Sequence, residues 1–134
     1  MEGAWLLLLC ERGGFAPLHQ AASAAASALA MGQRVDLVLF HGALGRYLDG
    51  QVDRIDPGQP YADSYRDAVE SGRVIPVSGV LAAAREAGLG LHACSASVAL
   101  LGRTPAEVLE RVDEVVGWPT IHGWMARADR VLSL

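Results

Sequence analysis

Three runs of mostly apolar residues, separated by helical segments, constrain what this chain can fold into. The runs are Trp5–Cys10, Arg34–Phe40 and Leu89–Cys94. Such apolar stretches are typical of strands that are buried on both faces of a sheet. Strands that alternate with helices predict an α/β fold, with a mostly parallel sheet and helices on both of its faces.

Helix boundary signals divide the rest of the chain. Pro17 suits a first helical turn and Gly32 the position after the last turn, so we expect a helix from about Pro17 to Met31. Ser78 and Thr120 are predicted to cap two further helices. Shorter helices are predicted over residues 44–48, 61–69, 95–101 and 105–111, and shorter strands at Val115–Val116 and Arg130–Leu134.

These elements predict one doubly wound domain of the flavodoxin-like type, which spans residues 1–134 and has five strands. Ligand chemistry in such folds lies at the carboxyl ends of the strands. With the strand order 2-1-3-4-5, the strands that end in Cys10 and Cys94 would be neighbours. Cys10 could then lie near Cys94 and act as a resolving thiol, although a disulfide is not expected.

Composition excludes several classes of protein. The chain has no Lys, its Arg residues are scattered and its net charge is −4, so direct binding to nucleic acid is not expected. Two cysteines do not make a disulfide framework, and no run reaches the ~20 apolar residues of a membrane helix. The apolar start at Trp5–Cys10 is interpreted as a buried strand rather than a signal segment. A cytoplasmic protein without membrane contact is therefore predicted.

Common cofactor motifs of α/β folds are missing. Gly13 and Gly14 are not followed by the G-x-G-x-x-G spacing of dinucleotide sites, and a phosphate-binding loop needs a Lys. No tight metal-ligand spacing such as C-x-x-C is present. No cofactor and no metal are therefore expected.

Cys94 is the main candidate for chemistry. It ends a predicted buried strand and immediately precedes a helix, where backbone N–H groups stabilise a thiolate. A thiolate is the form that attacks a disulfide or persulfide sulfur. Cys94 could also be a small buried packing residue.

Two segments resemble a known family. Gly88–Cys94, followed by the small-residue stretch Ser95–Leu101 and Gly102, resembles the active-site segment of the DsrE and TusD sulfur relay proteins. That segment has the form G-L-x-L-x-x-C, then a small-residue helix. The ending Ala128–Leu134 is similar to their A-D-[KR]-V-[LV]-x-[FL] terminus. The likeness covers nearly the whole chain except His41–Arg73.

This resemblance implies a fold and a chemistry. The implied fold is a DsrE-type parallel sheet that assembles as trimers or hexamers, sometimes from different subunits. Cys94 is implied to carry sulfane sulfur as a persulfide between donor and acceptor proteins, as in tRNA thiolation relays or sulfur oxidation. Because residues 41–73 depart from the family pattern, the resemblance leaves the partner surface open.

The histidines are secondary candidates. His41 follows the second strand, so it is expected at the functional edge, where it could assist proton transfer near Cys94. His92 lies two residues before Cys94 and shares its strand face. His122 is placed near the start of the last helix. Trp118 and Trp124 could line a subunit interface or belong to the core.

Two functions from different classes remain. One is a sulfurtransferase-like persulfide carrier, which needs an accessible and reactive Cys94. The other is a non-catalytic oligomeric module that binds a small ligand in the same cleft. A buried Cys94 without a pocket would favour the second. A symmetric homo-oligomer is expected in either case, because the Ala-rich helix and the Trp-bearing region offer apolar surface.

Overall fold

The computed structural model describes residues 3–134, which form one five-stranded parallel sheet with helices. Its strands are β1 (Trp5–Cys10), β2 (Arg34–Leu39), β3 (Gly90–Cys94), β4 (Glu114–Val116) and β5 (Arg130–Ser133). They lie in the order β4-β3-β2-β1-β5, and every neighbouring pair is parallel. The predicted α/β fold with a parallel five-stranded sheet is confirmed.

The connections between the strands are helical. The helices are α1 (Phe15–Ala30), α2 (His41–Leu48), α3 (Ala62–Glu70), α4 (Val77–Glu86), α5 (Ser95–Leu100), α6 (Pro105–Val108) and α7 (Trp118–Arg127). Within the described range, none of them combines the length and the apolarity that crossing a membrane requires.

The sheet separates two apolar cores of unequal size. The larger core joins β1 side chains such as Leu8 to α1 and α4, and the smaller joins β1 side chains such as Leu7 to α7. The topology explains this division. The crossovers from β1 through β4 advance in one direction, so right-handed connections put α1 to α6 on one face. The connection from β4 to β5 runs in the opposite direction across the sheet, so it puts α7 on the other face. Helices on both faces, as predicted, are confirmed.

Small side chains let α1 approach the sheet and α4 closely. Its buried positions are Phe15, Leu18, Ala21, Ala22, Ala25 and Ala28. One face of the Ala-rich helix is therefore buried within the domain, while Met31, just after the end of the helix, is exposed.

Several predicted boundaries differ from the structure. Ser78 is not a cap but lies inside the first turn of α4, where its backbone N–H and its hydroxyl both donate to Asp53. Thr120 is also not a cap, because α7 already begins at Trp118 after Gly117. The helix predicted over residues 105–111 is shorter in the structure, where a capping box of Thr104 and Glu107 starts α6 at Pro105. For α4 and α7 the sequence located the helix but not its first residue, whereas for α6 it located the first residue but not the last.

Candidate active site

Cys94 lies at the carboxyl edge of the sheet, where β3 turns directly into α5. Its backbone is extended, with φ −70° and ψ 126°, and it occupies the cap position of α5. β3 runs between β2 and β4, so strands flank the cysteine on both sides. Its side chain belongs to the smaller core under α7 and is only 3% exposed. Cys94 is therefore enclosed by the sheet, by α5 and by the α7 layer.

A pocket of about 140 Å³ opens beside this cysteine. It lies at the predicted carboxyl edge of the sheet. Its lining consists of Leu9, Glu11, Phe40, His41, Cys94, Ala96, Ser97, Trp118 and Ser133. These residues come from the ends of β1, β2, β3 and β5, and from the starts of α2, α5 and α7. Cys94 is thus almost fully buried, and the part of its side chain that borders open space faces this pocket.

His41 is brought to the same pocket, as the sequence predicts. It is the first residue of α2 and has a φ of +41°. Its backbone N–H donates a hydrogen bond of 2.9 Å to the hydroxyl of Ser97, which is fully buried. A left-handed conformation is uncommon for a residue that has a Cβ atom, and such residues are enriched at functional sites.

The loops after β1 and β2 are joined at the pocket. The N–H of Ala43 donates to the carbonyl of Glu11 at 3.0 Å. A Cβ atom on Gly13 would lie 2.5 Å from the carbonyl oxygen of Gly42, so only glycine permits this backbone contact. The contact holds Glu11 and His41 on one wall. The described lining thus contains one carboxylate and no guanidinium group.

The two tryptophans named as interface or core residues have different roles. Trp124 is buried against the ring of His92, with 4.8 Å between the ring centroids, and belongs to the smaller core. Trp118 is half-exposed; its ring stacks on Phe40, with 5.5 Å between the ring centroids, and is tilted against His122, with 5.4 Å between the centroids. Trp118 therefore forms the α7 side of the pocket.

His92 shares the strand face of Cys94, as predicted, but it does not line the pocket. Its Nε2 donates to Oδ1 of buried Asp36 at 2.8 Å. The other oxygen of Asp36 accepts from the indole N–H of Trp5 at 2.8 Å and from Arg34 at 3.0 Å. This buried network links β1, β2 and β3 through Trp5, Asp36 and His92, and it packs against α7 through the ring of Trp124. The structure thus gives His92 a structural partner, and a catalytic role for it stays a prediction.

The Asp36 network makes stability depend on pH. Burial raises the pKa of the Asp36 carboxyl, but hydrogen bonds and positive charge from His92 and Arg34 outweigh burial and hold this pKa below its ordinary value. Its stabilising effect is therefore present above about pH 4 and is lost as the pH falls through the lower pKa of the folded protein.

We expect the free energy of unfolding of the wild type to fall more steeply in acid than that of Asp36→Asn. Asn keeps the size of the side chain but cannot titrate in this range. Urea unfolding at a series of values from about pH 6 to pH 3 measures both curves. Parallel curves would show that Asp36 does not contribute to the acid sensitivity.

Cys10 does not meet Cys94, so the predicted proximity is wrong. β2 lies between their strands, in contrast to the expected 2-1-3-4-5 order. The two side chains also point to opposite faces of the sheet, because Cys10 belongs to the larger core. Burial raises the pKa of the Cys10 thiol to about 11. This geometry removes Cys10 as a resolving thiol.

Three polar residues of the pocket, Glu11, Ser97 and Ser133, were not identified as site residues from the sequence. Glu11 directly follows β1 and could have been found by the rule that places His41 after β2. Ser97 gave no signal, because it sits in a run of small residues that are typical of helix packing. The ring of His122 lies against Trp118 in a tilted arrangement. Among residues 3–134, no group of three His, Cys, Asp or Glu side chains is placed to hold a metal ion.

The fold and the pocket define a class: an α/β protein with a five-stranded parallel sheet, helices on both faces and a cysteine at the carboxyl edge of the sheet. No family model matches the chain, and no curated protein matches it. Among solved structures it is similar to MTH1491, a protein of unknown function from Methanobacterium thermoautotrophicum. The TM-score is 0.65 at 14% sequence identity, over 98% of this chain and 99% of that chain. This likeness supports the fold and leaves the chemistry to the site itself.

Proposed function

We propose that this protein is a sulfur carrier, which takes up sulfane sulfur on Cys94 as a persulfide and passes it to a thiol of a partner protein. The observation that carries the proposal is the position of Cys94 at the start of α5, on the floor of a small pocket. A free, almost fully buried thiol that borders a small pocket suits a group that must react and then be protected.

The proposed uptake step balances without a redox partner. The Cys94 thiolate attacks the outer sulfur of a donor R–S–SH, the donor S–S bond breaks, and a new bond forms between Cys94 Sγ and the transferred sulfur. His41 takes the proton of the Cys94 thiol and returns it to the departing R–S⁻. The net change is Cys94–SH + R–S–SH → Cys94–S–SH + R–SH.

The pocket also restricts the donor. A volume of about 140 Å³ admits a side chain the size of cysteine, but not a bulky thiol. A cysteine persulfide, free or presented by a donor protein, fits this limit.

Uptake and release test the proposal together. The protein is incubated with cysteine persulfide, desalted, and then mixed with a reduced acceptor thiol. The account expects uptake of sulfane sulfur by the folded protein and its loss to the acceptor. Binding of a small molecule in the pocket without any sulfur uptake would favour the binding-module alternative instead.

We also propose that the chain forms a homo-oligomer, of the trimeric or hexameric kind that the family resemblance implies. β5 is an edge strand that pairs only with β1, and it leaves Val131 and Leu132 about 40% exposed. Met31, also exposed, lies beside them along a groove between α1 and β5. Exposed apolar edge strands of this kind are a common site of association.

Light scattering at micromolar concentration is expected to give a mass of several chains. Leu132→Glu puts a carboxylate on the β5 edge and should lower that mass, because a buried unpaired charge is unfavourable at an interface. A wild-type mass of one chain would contradict the proposed assembly.

A further inference from the structure

We propose that Ser97 is a positioning residue, which holds His41 in the left-handed conformation that places it in the pocket of Cys94. This inference rests on the proposed reaction of Cys94, but its main test does not require sulfur. The observation behind it is the hydrogen bond from the backbone N–H of His41 to Ser97 Oγ, at 2.9 Å.

The hydrogen bond between His41 and Ser97 satisfies two polar groups, a buried hydroxyl and a backbone N–H at a helix start. Ser97 is fully buried, and a buried hydroxyl is unfavourable unless it is hydrogen-bonded. His41 is the first residue of α2, so its N–H has no partner within the helix. The Ser97 hydroxyl accepts from this N–H and thereby links α5 to the start of α2.

The left-handed backbone of His41 needs such support. A φ of +41° brings the Cβ atom close to neighbouring backbone atoms, and residues other than glycine keep this conformation only where their surroundings hold it. Support also comes from the β1 loop, since Gly42 packs on Gly13 and Ala43 donates to Glu11. The start of α2 is thus fixed from α5 on one side and from the β1 loop on the other.

The same helix that carries Ser97 begins immediately after Cys94. Ser97 lies three residues further along, in the first turn of α5. The position of His41 is therefore tied to the helix start that supports the Cys94 thiol. Ser97 touches no reactant in this account and acts only through His41.

A double-mutant cycle tests this role. Ser97→Ala removes the acceptor, and His41→Gly removes the imidazole while tolerating the positive φ. The main readout is the rate at which iodoacetamide alkylates Cys94, followed on the Cys94 peptide so that Cys10 is not counted. Sulfur uptake and thermal unfolding are measured on the same four proteins.

We expect His41→Gly to slow alkylation on the order of 100-fold, as for loss of a group that moves a proton, without lowering the melting temperature. Ser97→Ala should slow it about tenfold by misplacing His41. In the His41→Gly background, Ser97→Ala should have no further effect, because the group that it positions is gone.

Three outcomes would overturn the inference. Ser97→Ala could leave alkylation unchanged, could slow it by the same factor in both backgrounds, or could unfold the protein at the assay temperature. If alkylation follows the expected pattern while no protein takes up sulfur, the positioning role stands and the proposed function fails.

Discussion

Replacing Cys94 by Ser is expected to abolish sulfur uptake and to leave the fold intact. Ser is close to Cys in size, and the site borders a pocket where the hydroxyl can meet water, so the stability change should be about 1 kcal/mol. A serine hydroxyl is not appreciably ionised near neutral pH and cannot form a persulfide. Mass analysis after incubation with cysteine persulfide, with circular dichroism for the fold, measures both effects.

Cys10→Ala is the matched control for this loss. Cys10 is fully buried on the opposite face of the sheet, and its raised pKa keeps it a neutral thiol. The Cys10→Ala protein should therefore load as much sulfur as the wild type. Equal loading of the wild type and the Cys94→Ser variant would contradict the assignment, and so would loss of loading in Cys10→Ala without loss of the fold.

Replacing Gly90 by Ala is expected to give the largest loss of stability. A Cβ atom at Gly90 would lie 2.1 Å from Oδ1 of Asp36 and 2.9 Å from Nε2 of His92. Neither atom can move away easily, because both belong to one buried hydrogen-bonded pair. Overpacking together with disruption of a buried hydrogen bond to the Asp36 carboxylate should cost about 3 kcal/mol or more. Thermal unfolding should show a fall in Tm on the order of 10 °C.

Two further variants make this expectation specific. Gly123→Ala adds the same methyl group in α7, where it would meet nothing within 4 Å beyond its chain neighbours and the adjacent helix backbone, so it should leave stability unchanged or slightly raised. Asp36→Ala removes the clashing oxygen, so adding Gly90→Ala to it should cost less than in the wild type. Equal costs of Gly90→Ala in both backgrounds would show that the Asp36 contact is not the cause.

The sheet could be predicted because each inner strand is a run of apolar residues between helix signals. The strand order could not, because pairing depends on where each crossover helix packs, which no local signal reports. The expected 2-1-3-4-5 order made Cys10 a neighbour of Cys94, whereas the direct progression from β1 to β4 puts β2 between them. Both cysteines still end their strands at the predicted edge.

The site could be predicted in part for the same reason. Residues that directly follow strands, such as His41, reach the pocket because parallel strands end at one edge. Ser97 could not be predicted, since its role depends on a contact between residues 56 positions apart. Asp36 could have been recognised in the sequence as a charged residue inside an otherwise apolar strand. A charge inside a buried strand requires a partner, and here that partner is His92.

The mass of the Cys94 peptide tests the central claim most directly. The protein is isolated from its own cells, alkylated, digested and analysed without added sulfur compounds. The account predicts that a fraction of the Cys94 peptide carries an additional ~32 Da, the mass of one sulfur atom added to the thiol, and that the Cys10 peptide does not. A Cys94 peptide that never carries this addition, even after incubation of the folded protein with cysteine persulfide, would contradict the account.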